Sequence, residues 1–245
     1  MSVFARLVEQ LADLLQPLFL GSATAAAIVL FTAFVRLAVH PLSRAAARGQ
    51  KANARLAPQV AALRKKHRKN PERQQQALME LYAKEKASPL SGCLPSLLQV
   101  PAFFLLYHLF SSTSIGGEPN GLLGHRLFAA PLGDRWTDAL ADGGVFGGAG
   151  AVYLCLFAVV TAVAVFNYRR TKLQMAAGPV PEDAPPGMGA MTRLMPLLSF
   201  GTLITVAVVP LAAALYIVTS TTWSAVERAI LYRDMPLAGA MTNPL

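Results

Sequence analysis

The sequence has little cysteine, little histidine and few acidic side chains. It contains two cysteines, Cys93 and Cys155, four histidines and 13 acidic residues in 245 positions. Two isolated cysteines exclude a disulfide framework and a cysteine-based metal site, and we expect that they do not pair with each other. No nucleophile, base and orienting group fall into a catalytic pattern. We therefore expect a protein that is not an enzyme, with no catalytic residues and no metal.

Apolar runs dominate what is present. Hydrophobic residues make up 54% of the chain and charged residues only 14%. A helix needs about 20 apolar residues to cross a bilayer, and a helix satisfies its own backbone hydrogen bonds there. The runs therefore predict an all-α integral membrane protein.

The positions of these runs predict five transmembrane helices. The run at 195–226 has 32 residues, roughly 48 Å as one helix, which exceeds a bilayer core of about 30 Å. We therefore divide it at Pro210. Residues 1–17 alternate apolar and polar side chains at helical spacing, which predicts an amphipathic interfacial helix. The other predicted spans lie at 21–40, 92–112, 150–168, 193–209 and 211–231. Between and after them we predict a basic helical hairpin at 44–88, an extracytoplasmic loop at 113–149 with a surface helix around 122–127, a partly disordered cytoplasmic loop at 169–192 and a cytoplasmic tail at 232–245.

Basic residues concentrate in the hairpin. Segment 41–91 holds twelve basic and three acidic residues, so its excess equals the net charge of the whole chain, +9. Such a block predicts a surface for anionic lipid, the ribosome or nucleic acid, without specificity for a nucleic-acid sequence. The residues expected to recruit partners are Arg64, Lys65, Lys66, Arg68 and Lys69.

The positive-inside rule orients the chain. The hairpin, the loop after 168 and the C-terminal segment carry the excess of Lys and Arg, whereas the loop at 113–149 holds two arginines against four acids. We therefore predict a multi-pass membrane protein with its N-terminus outside and its C-terminus in the cytoplasm.

Arg36 lies inside the first predicted span. A cation there costs on the order of 3 kcal/mol at the bilayer centre and marks a functional site by default. Its long side chain can instead reach the interface, five residues before Pro41. Thr32, Arg36 and His40 lie at i, i+4 and i+8, on one helix face, which favours a wall of a wet cavity.

Polar residues of the other spans also fall mostly in the cytoplasmic half. Each hydroxyl can simply bond back to its own helix, and Trp223 suits an interfacial belt. Together they predict a groove that is open to the cytoplasm and to lipid and closed on the outer side. The predicted groove residues besides Arg36 and Thr32 are Gln99, Asn167, Thr202, Thr219, Ser220, Thr222 and Trp223.

Three stretches resemble the YidC-type membrane protein insertase family. They are Phe34-Val35-Arg36 with Thr32 and the following 40–43, the segment ELYAKEKASPLSGCLPSLLQVP at 80–101, and 210–220 with 229–233. The resemblance covers roughly 24–233. Ala212 stands where the family usually has a glycine two residues after the fifth-span proline, and we expect no large periplasmic domain. The resemblance implies a location in the bacterial plasma membrane.

The resemblance implies a five-helix insertase core without ATP or cofactor. Its partners would be nascent membrane proteins and anionic lipids, with the Sec translocon and the ribosome beside it, and it would act as a monomer. The resemblance also suggests Tyr107 as a client contact, although packing towards lipid explains that residue equally well. Two other classes stay open: a small transporter or channel in which Arg36 binds an anion, and a membrane-anchored binder of ribosome or nucleic acid.

Overall fold

The protein is mostly helical. The computed structural model describes residues 2–85, 94–115, 117–176 and 194–233. Its α-helices are α1 (Ser2–Phe19), α2 (Ala23–Ala38), α3 (His40–Lys66), α4 (Pro71–Lys84), α5 (Leu94–Ser111), α6 (Trp136–Ala141), α7 (Gly148–Ala176), α8 (Gly201–Val208) and α9 (Leu211–Leu231). The described strands have two residues each and form antiparallel pairs: β1 (Ser114–Ile115) with β2 (Glu118–Pro119), and β3 (Arg126–Leu127) with β4 (Ala130–Pro131).

Within the described residues, two helical stretches are long and apolar enough to cross a membrane. They are Val3–Ala38 and Gly148–Leu173, and Met195–Val208 is a shorter apolar helical stretch. This agrees with an all-α membrane protein. The predicted span at 92–112 lies largely outside the described side chains and is therefore not tested. In α9, the polar and charged residues at 219–228 lower the hydropathy. Five spans therefore stay a prediction.

The described residues fall into two compact units. The first contains 2–37, 103–115, 117–176 and 194–230, and the second contains 38–85, 94–102 and 231–233. The core of the first unit is built around the start of α9, where Leu211, Ala212, Ala213 and Ala214 are fully buried. Alanine at three consecutive positions lets neighbouring helices approach the α9 backbone closely.

Helix α1 packs into this core along one face. Val8, Ala12 and Leu15 are buried, whereas Leu7 and Leu14 are exposed. Protein therefore covers one side of this helix. The predicted position of 1–17 at the membrane interface applies only to the exposed side. At Leu20, with φ of +45°, a 3₁₀ turn (Leu20–Ser22) separates α1 from α2.

The apolar run at 195–226 is divided at Pro210. The 3₁₀ helix Met195–Phe200 leads into α8, Val209 is extended, and α9 begins at Leu211. Proline has no N–H to continue a helix and pushes the preceding residue into an extended conformation. The first N–H groups of α9 donate instead to the loop at 112–147. Leu211 donates to the carbonyl of Asp134 (2.8 Å) and Ala212 to that of Leu132 (2.9 Å).

The loop at 112–147 has more structure than predicted. A surface helix over 122–127 is wrong: Gly121–Gly124 is a 3₁₀ turn with Leu122 buried, and Arg126–Leu127 is a strand. Two leucines between two glycines are too few to sustain an α-helix. Burial, together with the charges of Asp138 and Asp142, raises the pKa of the Asp134 carboxyl in this loop.

The second unit contains α3 and α4, which contact each other and are joined by 67–70. Asn70 caps α4, its side chain accepting a hydrogen bond from the N–H of Arg73 (3.1 Å), and Pro71 follows at the first helical position. Gln74 donates to the carbonyl of Arg64 across the turn (3.1 Å). Helix α3 continues through Pro58.

Candidate functional site

The site is built around Arg36, two residues before the end of α2. Its side chain is half-buried within the first unit. The guanidinium donates to the hydroxyl of Ser220 on α9 through both Nε (3.0 Å) and Nη2. Ser220 is only 3% exposed. The contact therefore ties an apolar helix that carries a cation to the polar part of α9.

The polar side chains that follow Ser220 on α9 divide into two groups. Thr221 donates to the carbonyl of Ile217 (2.8 Å) and Ser224 to that of Ser220 (2.9 Å), so both satisfy themselves within α9. The Thr222 hydroxyl and the Trp223 Nε1 are buried atoms without a hydrogen-bond partner among the described residues. An unpaired buried polar atom costs about 1–3 kcal/mol, which makes these two groups candidate binding points for water or a ligand.

Other predicted groove residues have separate positions. Thr32 is fully buried and donates to the carbonyl of Ile28 within α2 (2.7 Å). Thr202 donates to the carbonyl of Ser199 (2.9 Å), and Thr219 and Asn167 are half-buried on α9 and α7. Gln99 belongs to α5, but its side chain lies outside the described part of the chain. Within that part, the structure thus joins Arg36 to Ser220, and Thr32 has no surface that a client can reach.

Tyr107 belongs to an aromatic cluster in the first unit. Its ring stacks on Phe103 at 5.9 Å, and Phe103 packs against Tyr216 at 5.8 Å. Tyr216 packs in turn on Phe110 at 5.9 Å and is fully buried. Tyr216, which hydrogen-bonds to Ser220, is a neighbour of the site that was not predicted from the sequence. Its spacing to Ser220, four residues along α9, was the available signal.

The basic residues expected to recruit partners lie around the turn between α3 and α4. Arg64, Lys65 and Lys66 occupy the last turn of α3, and Arg68 and Lys69 follow directly. All five are exposed. Cations at a helix C-terminus also interact favourably with the helix dipole.

Metal-binding groups and the two cysteines offer little further chemistry. No group of three or more His, Cys, Asp or Glu side chains in the described ranges is arranged to hold a metal ion. Cys155 is an exposed free thiol on α7. Cys93 lies outside the described residues, so the expectation that the two thiols do not pair stays a prediction.

Comparison with known proteins gives one consistent result. The model of the "60Kd inner membrane protein" family matches residues 16–238. A "Membrane protein insertase YidC" of Clostridium perfringens is 41% identical over 91 residues, which are 37% of this chain and 38% of that protein.

Relatives from other bacteria carry the same name. The protein of Granulibacter bethesdensis is 44% identical over 87 residues, 36% of this chain and 15% of its own length, and that of Polynucleobacter asymbioticus is 40% identical over 93 residues, 38% and 17% respectively. The matched segments thus span well under half of these curated relatives. The family model, however, covers most of the present sequence. The chain therefore belongs to the 60Kd inner membrane protein family, which confirms the resemblance to YidC-type insertases seen in its sequence.

Proposed function

We propose that this protein is a membrane protein insertase. It takes hydrophilic segments of client proteins into a cytoplasm-open, positively charged groove within the membrane and releases transmembrane segments sideways into lipid. One observation carries the proposal: a half-buried cation, Arg36, lies near the end of an apolar helix and is held against a polar stretch of α9. Membership of a family whose curated relatives are named insertases supports it.

We assign Arg36 with Ser220 to the groove wall, and add to it the unpaired groups of Thr222 and Trp223 further along α9. Moving the tail of a client out of water costs free energy. A polar, positively charged wall lowers that cost for tails that carry acidic residues. Gln99, Asn167, Thr202, Thr219 and Tyr107 are assigned to the same wall, and Thr32 supports it from behind.

The proposal includes a topology and partners. Five spans, an outside N-terminus and a cytoplasmic α3–α4 pair would place Arg64, Lys65 and Lys66 where nascent chains arrive. Exposed cations there suit anionic lipid headgroups and the ribosome. The clients would be nascent membrane proteins, received directly or beside the Sec translocon. The names of the relatives describe insertion, and the proposed activity needs no chemical catalysis by the chain.

Reconstitution tests the function directly. The purified chain in liposomes should insert a short single-span client, measured as protection of its translocated tail from added protease, while empty liposomes should not. The same vesicles should not release a trapped anionic solute. Release of the solute without insertion of the client would contradict the insertase proposal and favour the transporter or channel.

A further inference from the structure

An apolar cavity lies in the first unit, away from Arg36. The end of α1, the start of α2, the tip of the β3–β4 hairpin and α9 surround it, with a volume of about 370 Å³. Its walls include Phe19, Ala26, Val29, Leu127 and Leu215. This volume lies within the range of roughly 300–1,000 Å³ that is typical of small-molecule sites.

The lining of the cavity offers a ligand no free polar group among the described residues. Ser22 is the polar side chain among the lining residues; its hydroxyl accepts a hydrogen bond from the backbone N–H of Phe128 (3.3 Å), and the surface that faces the cavity is entirely apolar. Burying a polar ligand group without a hydrogen bond costs about 2 kcal/mol or more. The chemistry of the wall therefore selects hydrocarbon.

The hairpin tip is held in a strained conformation over the cavity. Phe128 has φ of +52°, which is unusual for a bulky residue, and its side chain is 78% exposed. Such strain costs on the order of 1 kcal/mol or more and persists only when the surroundings hold it. The hydrogen bond from the N–H of Phe128 to the hydroxyl of Ser22 is one such restraint. An exposed aromatic ring beside an apolar cavity extends its apolar rim.

The cavity is continuous with a surface of α2 that suits lipid. Leu30 lines the cavity and also begins an exposed apolar row with Phe34 and Leu37, at i, i+4 and i+7. This row belongs to a stretch long and apolar enough to span a membrane. In a family of membrane proteins, an exposed apolar face on such a helix meets lipid chains.

We propose that this cavity binds one acyl chain of a membrane phospholipid. The chain would enter along Leu30 and lie between α2 and the hairpin tip, with Leu215 beside it. A bound chain would fill the space beneath the tip and stabilise the strained turn at Phe128. The proposal rests on the membrane location of the protein and does not depend on its being an insertase.

Photolabelling in liposomes tests the proposal with the full chain. The probe is a phosphatidylcholine with a diazirine near the end of one acyl chain, and adducts are mapped by mass spectrometry. Ala26→Leu fills the cavity. Ala33→Leu is the matched control, since Ala33 is also half-buried, lies two turns further on the same face of α2 and is not among the lining residues.

We expect stronger labelling at Ala26 and Val29 than at Phe34 in the original chain and in Ala33→Leu, and a several-fold loss in Ala26→Leu. Equal labelling of the cavity and of Phe34, or no loss in Ala26→Leu, would mean general contact with bulk lipid and would overturn the proposal. Should Ala26→Leu fail to fold, Leu127→Gln, which places an amide in the wall, should give the same loss.

Discussion

The guanidinium of Arg36 shares one hydroxyl acceptor, that of Ser220, between its Nε and Nη2, although the two residues are 184 positions apart. A guanidinium has five N–H donors, so Ser220 satisfies only part of its capacity. The contact therefore fixes the position of the charge and leaves donors for water or for an acidic client group.

The contact between Arg36 and Ser220 should be measurable as a coupling. Ser220→Ala should lower the free energy of unfolding in detergent by about 1 kcal/mol, because a charged donor loses its acceptor. In a double-mutant cycle with Arg36→Ala, we expect a coupling energy of about 1 kcal/mol. Ser224→Ala is the control, since that hydroxyl bonds within α9, and its effect should add to that of Arg36→Ala. Additive effects of Arg36→Ala and Ser220→Ala would contradict the contact.

The charge of Arg36 should matter most for acidic clients. Arg36→Ala should slow the insertion of a client with Asp or Glu in its translocated tail by about tenfold, equivalent to about 1.4 kcal/mol. Arg36→Lys should retain part of the rate, because it keeps the charge. The matched control is the same client with its tail acids changed to Asn or Gln, which should lose less. Equal losses for both clients would leave Arg36 with a structural role only.

Tyr153 should stabilise the junction of α7, the loop and α9. Its hydroxyl donates to the carbonyl of Asp134 (2.6 Å), which also accepts from Leu211 at the start of α9. Tyr153→Phe should lower the free energy of unfolding by about 1 kcal/mol. Tyr153→Leu should cost about 2 kcal/mol more, because it also loses ring contacts with Trp136 and Phe157. Equal unfolding temperatures for the two variants would show that the rings contribute little.

The cap at Asn70 should control the start of α4. Asn70→Ala removes the acceptor for the Arg73 N–H and should cost about 1 kcal/mol of local stability, whereas Asn70→Asp should preserve it. Amide hydrogen exchange in Pro71–Lys84 measures this local stability. Gln75→Ala, at an exposed position within the same helix, is the control and should not increase exchange. Unchanged protection in Asn70→Ala would show that α4 does not depend on its cap.

The five exposed cations near the α3–α4 turn should make insertion sensitive to lipid charge. Changing Arg64, Lys65, Lys66, Arg68 and Lys69 to Gln removes attraction worth about 1 kcal/mol for each residue close to an anionic surface. We expect the original chain to insert clients faster in vesicles with anionic lipid than in neutral ones, and the variant to show no such difference. If the variant keeps the full response to anionic lipid, these residues do not recruit the membrane.

Helix ends in this protein are largely local events, and the sequence shows them. The division at Pro210 follows from the missing N–H of proline, and the turn before α4 follows from Asn70 and Pro71. The loop at 112–147 was harder to predict, because its short strands and the buried Leu122 depend on contacts with the rest of the first unit. Local propensity alone does not decide such short elements.

By itself, the amino-acid sequence determined the helical membrane class, the family, the unequal distribution of charge and the presence of a cation in an apolar helix. It also placed several hydroxyls of α9 within plausible reach of Arg36. Only the tertiary structure decided that Ser220 receives the guanidinium, that Thr32 is enclosed and that one face of α1 is covered. The physical reason is that helix formation depends on neighbours in sequence, whereas the pairing of helix faces depends on close packing around Ala212, Ala213 and Ala214, which brings distant segments together.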